Sequence, residues 1–306
     1  MQVVQLPREI SFTSFPTLAD TLRVATFNAE LQRKGPGLLL RDLGRDDAQI
    51  DAVLAIVADV APDVLLLTDF DYDLDGLALA AFAARAGYDH SFAFAPNSGL
   101  PTGFDVDGNG RLGEARDAMG YGRFTGDGGL AILSRWPFGA ATDHSQTLWR
   151  DLPGAQWPEG AEDLMAIQRL SSTGHWTVDV MAPGGPVPLL AWSATPPVFD
   201  GPEDRNGLRN RDELRFWTHQ LDQQSPAHFV ILGNANLDPV DGDGRKGAMA
   251  AFLADPRLQD VKPASQGGIA AADPGQSGDP ALDTTDWPDG RPGNLRVSYV
   301  LPSVDW

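Results

Sequence analysis

The sequence predicts an α/β or α+β fold in which two packed sheets are flanked by helices. Two observations carry this. Apolar runs of strand length alternate with helical patterns through the first half, and in the second half several strands follow one another with no helix between them. The second feature favours mixed or antiparallel sheets over a purely parallel one. With 306 residues, 42% of them apolar or aromatic, the chain can bury a large core. No internal repeat or linker divides it, so residues 1–306 are read as one domain.

Leu22 to Asn28 reads as a strand. Ile50, Val53, Leu54 and Val57 fall on one face of a helix that begins near Asp46 and Asp47 and stops before Pro62. Val64 to Leu67 is a buried strand, Leu77 to Ala86 a helix closed by Gly87, and Gly129 to Ser134 another apolar strand. Further on, Trp176 to Met181, Val187 to Trp192, Phe229 to Leu232 and Leu295 to Leu301 read as strands, with helices near Asp212 to Leu221 and Gly247 to Leu253. Residues 262–294 are dominated by Gly, Pro, Ala, Asp and Ser and read as a long surface loop.

Composition excludes several classes. Without cysteine there are no disulfides, thiolate zinc sites or cysteine nucleophiles, so metal chemistry must use oxygen or histidine. The 23 basic and 42 acidic residues give a net charge of −19. A field of that sign opposes extended nucleic acid as a partner. The first nine residues lack a basic stretch followed by an apolar one, and no run approaches membrane-spanning length. A soluble, cytoplasmic protein is the expectation.

The chemistry gathers at strand ends. The apolar run Phe229 to Leu232 stops at Gly233 and presents Asn234, Ala235 and Asn236; Leu22 to Phe27 delivers Asn28 and Glu30; Val64 to Thr68 delivers Asp69. Short oxygen-bearing side chains converging from three buried strands suit a metal ion or a phosphate.

In their order, these motifs resemble the endonuclease/exonuclease/phosphatase superfamily over roughly Leu22 to Leu301. Thr26-Phe27-Asn28 is similar to the family's first strand, and Leu65 to Asp69 to the strand that normally ends in Gln-Glu. Gly129 to Arg135 is similar to the central strand, and Trp192-Ser193 to the strand end that often carries a catalytic His. Gly233-Asn234-Ala235-Asn236 is similar to Gly-Asp-x-Asn, and Arg296-Val297-Ser298 to the late strand whose Asp orients a second His. The resemblance implies a four-layer sandwich of two mixed, mainly antiparallel sheets flanked by helices. It also implies Mg²⁺- or Mn²⁺-dependent phosphoester hydrolysis, metal ligation by Glu30 and Asp69, and phosphate contacts from Asn28 and Asn236. Asn234, Asn236, Ser193 and Ser298 fall on its catalytic positions.

Four of those positions depart from the family pattern. Asn234 and Ser298 stand where the family has Asp, Ser193 where it has His, and Asp69 is a shortened Glu. The closing Ser-Asp-His segment, with its strand and second His, has no counterpart before Trp306, so a final strand is expected to be lacking and a sheet edge uncovered. An amide cannot accept a proton from water, and a hydroxyl has neither the reach nor the charge of imidazole. Weak metal binding and an impaired or inactive site are expected, with a small phosphorylated molecule as ligand.

Two other functions are compatible with the motifs: an active Mg²⁺-dependent phosphoesterase with a rearranged site, and a calcium-stabilised interaction or structural domain. The second rests on Asp105-Val-Asp107-Gly-Asn109-Gly110, whose alternating oxygen ligands around a tight turn fit half a Ca²⁺ loop. Arg116 occupies the place of the usual terminal Glu and Asp117 comes one residue later. A shorter run, Asp238 to Gly244, has the same character with fewer ligands. Arg205, Arg209 and Arg211 are the local candidates for phosphate contact, and His175 reads as structural.

Overall fold

Ten strands, arranged as two sheets of five, and the helices on their outer faces make up the described structure, a computed structural model that covers residues 1–6 and 21–306. In chain order the elements of the first half are β1 (Gln2–Leu6), β2 (Leu22–Leu31), α1 (Leu38–Leu43), α2 (Ala48–Val60), β3 (Val64–Phe70), α3 (Leu77–Ala86), β4 (His90–Phe92) and β5 (Gly129–Ser134). The second half adds β6 (Phe138–Asp143), α4 (Glu162–Met165), β7 (Gly174–Ala182), β8 (Gly185–Ser193), α5 (Arg205–Gln223), β9 (Val230–Asn234), α6 (Lys246–Leu253), α7 (Gln266–Ala270) and β10 (Ser298–Pro302). The reading of the first nine residues falls partly on Pro7, Arg8 and Glu9, outside the described residues.

The sheet orders are β1-β2-β3-β5-β4 and β10-β9-β8-β7-β6. Each contains one parallel pair, β2 with β3 and β8 with β9, and is otherwise antiparallel. The parallel pairs are the ones joined by helical crossovers, as a parallel connection requires. This is the expected sandwich of two mixed sheets.

Strand alternation divides the side chains between layers. Leu22, Val24, Val64, Leu66, Leu130 and Ile132 meet Trp176, Val178, Leu189, Ala191, Val230, Leu232 and Val300 between the sheets. The opposite faces pack under helices: Ala25, Leu65, Leu67 and Leu133 beneath α1 to α3, and Leu190, Trp192, Ile231 and Tyr299 beneath α5 and α6. Each fully buried Leu or Val contributes about 1.5–3 kcal/mol before entropy is subtracted. That rigid interior holds the strand ends in place.

Three features differ from the sequence reading. β1, unmarked by any strong pattern and not read as a strand, pairs with β2 from Gln2 opposite Thr26 to Leu6 opposite Leu22. Helix α5 begins at Arg205 rather than near Asp212, because its first two turns bury polar side chains that hydrophobic periodicity does not register. β10 begins at Ser298 because the Leu295 carbonyl is taken by the Thr284 and Thr285 N–H groups instead of a ladder partner.

No helix among the described residues is long and apolar enough to cross a membrane. Residues 262–294 carry α7 and one 3₁₀ turn and are otherwise irregular.

Candidate functional site

Strand register places the polar strand ends at one rim. The Gln2 Oε1, on the residue opposite Thr26, accepts from the Val300 N–H, and Val300 lies opposite Leu232. The two sheets are therefore level two residues before Asn28 and two residues before Asn234. At the level of Asn28 and Thr68, a Cβ placed on Gly174 would lie 3.0 Å from Leu130 Cδ1, and Gly174 is the register partner of Ser193, itself opposite Asn234. Asn28, Thr68, Ser193, Asn234 and Ser298 share strand parity with the residues of the intersheet core, so they line the mouth of the sandwich.

On the first sheet, local irregularities aim the acidic side chains. Asn28 pairs with Thr68 and Leu31 with Phe70, which leaves two residues of β2 opposite one of β3; β3 carries an extra residue against β5 at the same level. Such bulges redirect side chains. Glu30 and Asp69 sit in them with φ of 49° and 54°, in the left-handed region that ordinary residues seldom occupy. The Asn28 Oδ1 accepts from the Glu30 N–H at 3.2 Å, and the Asn28 amide donates to the Asp69 carboxylate.

Burial pushes the Asp69 carboxyl up to about 6 against the pull of that Asn28 bond, with repulsion from Glu30 and Asp127 adding to the rise. Asp71 is likewise raised to about 6 by burial, although the Gly128 and Arg33 N–H groups donate to it at 3.1 and 2.8 Å. Asp71 and Asp127, which the sequence reading did not single out, thus form an acidic bed behind Asp69. The signal was the Gly126-Asp127-Gly128-Gly129 run just before β5.

On the second sheet, Ser193, Asn234 and Ser298 stand in direct register across β8, β9 and β10 and are 5%, 4% and 4% exposed. Gly233 precedes Asn234 because a Cβ there would run into the Trp192 carbonyl, with φ at 153° besides. The Asn234 Oδ1 accepts from the Asn236 N–H at 3.0 Å, and Asn236, with φ 50°, donates one amide N–H to the Ala194 carbonyl at 2.7 Å.

Helix α5 braces these ends from behind. Asn210 donates to the Thr195 and Ala235 carbonyls at 2.7 and 2.8 Å. Glu213, pushed up to about 7 by burial with Arg209 opposing, accepts from the Ser172 and Thr195 N–H groups at 2.6 and 2.7 Å. His175 is buried between Ser171 Oγ and the Glu213 carbonyl at 2.9 and 3.1 Å, and burial holds it near 3, hence neutral and structural.

The three arginines expected to meet phosphate are engaged elsewhere. Arg209 donates to the carbonyls of Arg169, Leu170 and Ser171, Arg205 to the Val106 carbonyl, and Arg211 pairs with Asp212 at 3.1 Å. The cations beside the acidic cluster come from the first sheet. An open groove of about 600 Å³ next to Glu30 is lined by Gln32, Arg33, Lys34, Gln49 and Arg123. Arg123 pairs with the buried Asp127 at 2.7 Å while part of its side chain stays exposed.

At the Asp105 loop, oxygens of Asp105, Asp107 and Asp117 lie within 4.8 Å of one another. Asn109 does not join them: its amide donates to Asp107 and Glu114 at 3.1 and 2.6 Å, and its Oδ1 accepts from the Arg111 N–H. Asp117 is drawn in by the Val106 and Glu114 N–H groups at 2.8 and 3.0 Å, which closes the loop one residue later than usual.

Two mixed sheets opening onto a polar rim make this a phosphoesterase-like fold. A family model described as "Endonuclease/Exonuclease/phosphatase family" matches residues 25–306, and the chain belongs to that family. Among solved structures it is similar to an endonuclease/exonuclease/phosphatase from Beutenbergia cavernae, at 18% identity and a TM-score of 0.53, over 92% of this chain and 63% of that one. The chain thus spans less than two thirds of that protein's length. It is also similar to sphingomyelinase C from Streptomyces griseocarneus, at 16% identity, TM-score 0.51, and 93% and 84% coverage. A beta toxin from Staphylococcus aureus with bound magnesium ions aligns at 13% identity, TM-score 0.51, and 92% and 83% coverage. At these identities the likeness concerns the fold. A comparison with curated proteins gives no significant match.

Proposed function

We propose that the rim is a phosphoesterase-type site that keeps weak affinity for Mg²⁺ or Mn²⁺ and for a small phosphorylated ligand but is impaired in hydrolysis. The observation that carries this is the in-register row of Ser193, Asn234 and Ser298. In-line attack on phosphorus needs a group to take a proton from water and another to assist the leaving oxygen. A primary amide and two hydroxyls titrate far from neutrality and do neither. Loss of one such group commonly lowers the rate by about 10²–10⁴.

The donor set fits a divalent ion of modest affinity. Glu30 and Asp69 supply two carboxylates, Asn28 orients both, and Asp69 must lose a proton held to about 6. A bound ion would place positive charge on the non-bridging phosphate oxygens. Lys34 and Arg123 in the neighbouring groove give an anionic ligand its contacts, and the net charge of −19 restricts that ligand to a small one.

The test is hydrolysis of bis-p-nitrophenyl phosphate and p-nitrophenyl phosphate with Mg²⁺ or Mn²⁺. No turnover above background is expected. Robust turnover lost with EDTA and in Glu30→Ala would establish the alternative, an active enzyme with a rearranged site.

A second reading, calcium stabilisation, is favoured by the convergence of Asp105, Asp107 and Asp117. Arg205 from α5 donates to the Val106 carbonyl at 3.2 Å, so an ion there would reinforce a loop already tied to the second sheet's helix.

A further inference from the structure

The open groove beside Glu30 presents two cations with donors to spare. Arg123 is clamped: its backbone N–H and its Nε donate to Asp127 Oδ2 at 2.8 and 2.7 Å, and its Nη2 donates to Oδ1 at 2.9 Å. Asp127 is buried, so the guanidinium is held along one edge, while Nη1 has no partner among the described residues and the side chain stays 36% exposed. Lys34 is exposed and makes no hydrogen bond or ion pair among the described residues. The third cation, Arg33, is already taken by Asp42 at 3.1 Å and Asp47 at 3.7 Å, and Asp47 also caps α2 through the Gln49 and Ile50 N–H groups.

The two cations stand next to the acidic pair of the rim. Glu30 is part of the groove wall, and Arg123 Nη2 lies 3.5 Å from Gln32 Oε1. Gln32 Oε1 and Asp69 Oδ1 lie 3.3 and 3.4 Å from the point where a Cβ on Gly128 would stand. Gly128 has φ of 66°, which favours glycine on backbone grounds, and its missing side chain leaves the passage from Asp69 to Arg123 open. A clamped guanidinium loses little freedom on meeting an anion, and a lone ammonium beside it adds a point charge. In a chain of net charge −19, two such cations supply the local attraction that an anion needs.

We propose that the ligand of this site is a diphosphate, with one phosphoryl group at the Glu30–Asp69 position and the second in the groove against Lys34 and Arg123. The groove cations are one glutamine side chain away from Asp69, within reach of a phosphoryl group joined to the first through a bridging oxygen. A terminal phosphoryl group carries about two negative charges near neutrality, one for each cation, where a carboxylate carries one. Lys34 and Arg123, on this assignment, which rests on the rim being a phosphoesterase-type site, select ligands with a second phosphoryl group over those with one.

Calorimetry on the full chain in excess Mg²⁺, with inorganic phosphate, pyrophosphate and phosphonoacetate as probes, tests it. Pyrophosphate is expected to bind about tenfold tighter than phosphate, and phosphonoacetate, with a carboxylate in place of the second phosphoryl group, to fall between them. Lys34→Met, on a side chain with no structural contact, should cut the preference for pyrophosphate several-fold and leave phosphate affinity unchanged. Arg123→Gln alone would unpair the buried Asp127, so it is combined with Asp127→Asn, and the combination should also lose most of the preference. Mg²⁺-dependent phosphate binding with no preference for pyrophosphate, phosphonoacetate binding as tight as pyrophosphate, or a preference that survives in Lys34→Met overturns the proposal and leaves the reading of the rim standing. Absence of Mg²⁺-dependent binding by all three probes overturns both.

Discussion

Asn28 and Asp69 are joined across β2 and β3 by a hydrogen bond from the Asn28 amide to the Asp69 carboxylate, while the other end of the same amide accepts from the Glu30 N–H. One side chain therefore orients both acidic groups of the rim. Asn28, assigned to phosphate by resemblance, has at least half of its hydrogen-bonding capacity committed to that task.

Removing this donor should weaken metal binding through the proton. In Asn28→Ala the Asp69 carboxyl loses the bond that restrains its rise, so it moves above about 6 and competes more strongly with Mg²⁺ or Mn²⁺. Calorimetry at pH 7 should give an affinity several-fold lower than for the unmodified chain. In the unmodified chain the affinity should fall by up to about tenfold per pH unit below 6. A pH-independent affinity would remove Asp69 from the ligand set.

The same group predicts a stability trend whose sign runs against the usual carboxylate case. Because the folded Asp69 is raised from 3.8 to about 6, the native state holds the proton more tightly than the unfolded chain. Metal-free stability is then fully present below pH 4, falls as pH rises from 4 to 6, and levels above, by up to about 3 kcal/mol. Asp71, also raised to about 6, adds in the same direction. Urea unfolding should show Asp69→Asn more stable than the unmodified chain at pH 7 and equal to it at pH 3.5.

Much of the architecture was legible because it is written in apolar periodicity. The α3 helix and β5 strand begin and end where the sequence places them, and the strands leading to Asn28, Asp69, Ser193 and Asn234 are predominantly apolar runs. The early turns of α5 were not legible, since Arg209, Asn210, Asp212 and Glu213 are buried through hydrogen bonds to distant backbone, which no local pattern encodes. The left-handed backbone of Glu30 and Asp69 was hidden for the same reason: register between strands, not residue type, imposes it. The Asp105 loop was half legible, its alternating acids plain and its closure by Asp117 a matter of the fold.

Asn210 gives a prediction about the frame alone. Its amide holds the Thr195 and Ala235 carbonyls, which directly follow β8 and β9, and it is fully buried. Asn210→Ala strands both carbonyls and should cost about 2–4 kcal/mol in denaturant unfolding. A loss under 1 kcal/mol would mean that the strand ends are held without it.

Calcium should raise the melting temperature of the unmodified chain by mass action, and Asp107→Ala should remove the part due to the Asp105 loop. An unchanged melting curve in millimolar Ca²⁺ would eliminate the loop as a calcium site.

The last expectation concerns turnover and follows from the register of Ser193 and Asn234. Asn234→Asp changes one atom type, and the Asn236 N–H that now meets Oδ1 at 3.0 Å would favour the ionised form, so a proton acceptor appears at the mouth without rebuilding. Ser193→His puts an imidazole on the strand directly beside it, in register with Asn234. Groups that act as a unit are strongly non-additive, so each single variant should remain at background. The double variant should show only a trace of Mg²⁺-dependent hydrolysis, held low because the third member of the row, Ser298, still supplies no carboxylate. If the unmodified chain already hydrolyses phosphodiesters robustly and Asn234→Asp leaves the rate unchanged, proton transfer runs through other groups and Asn234 is not at the reacting centre.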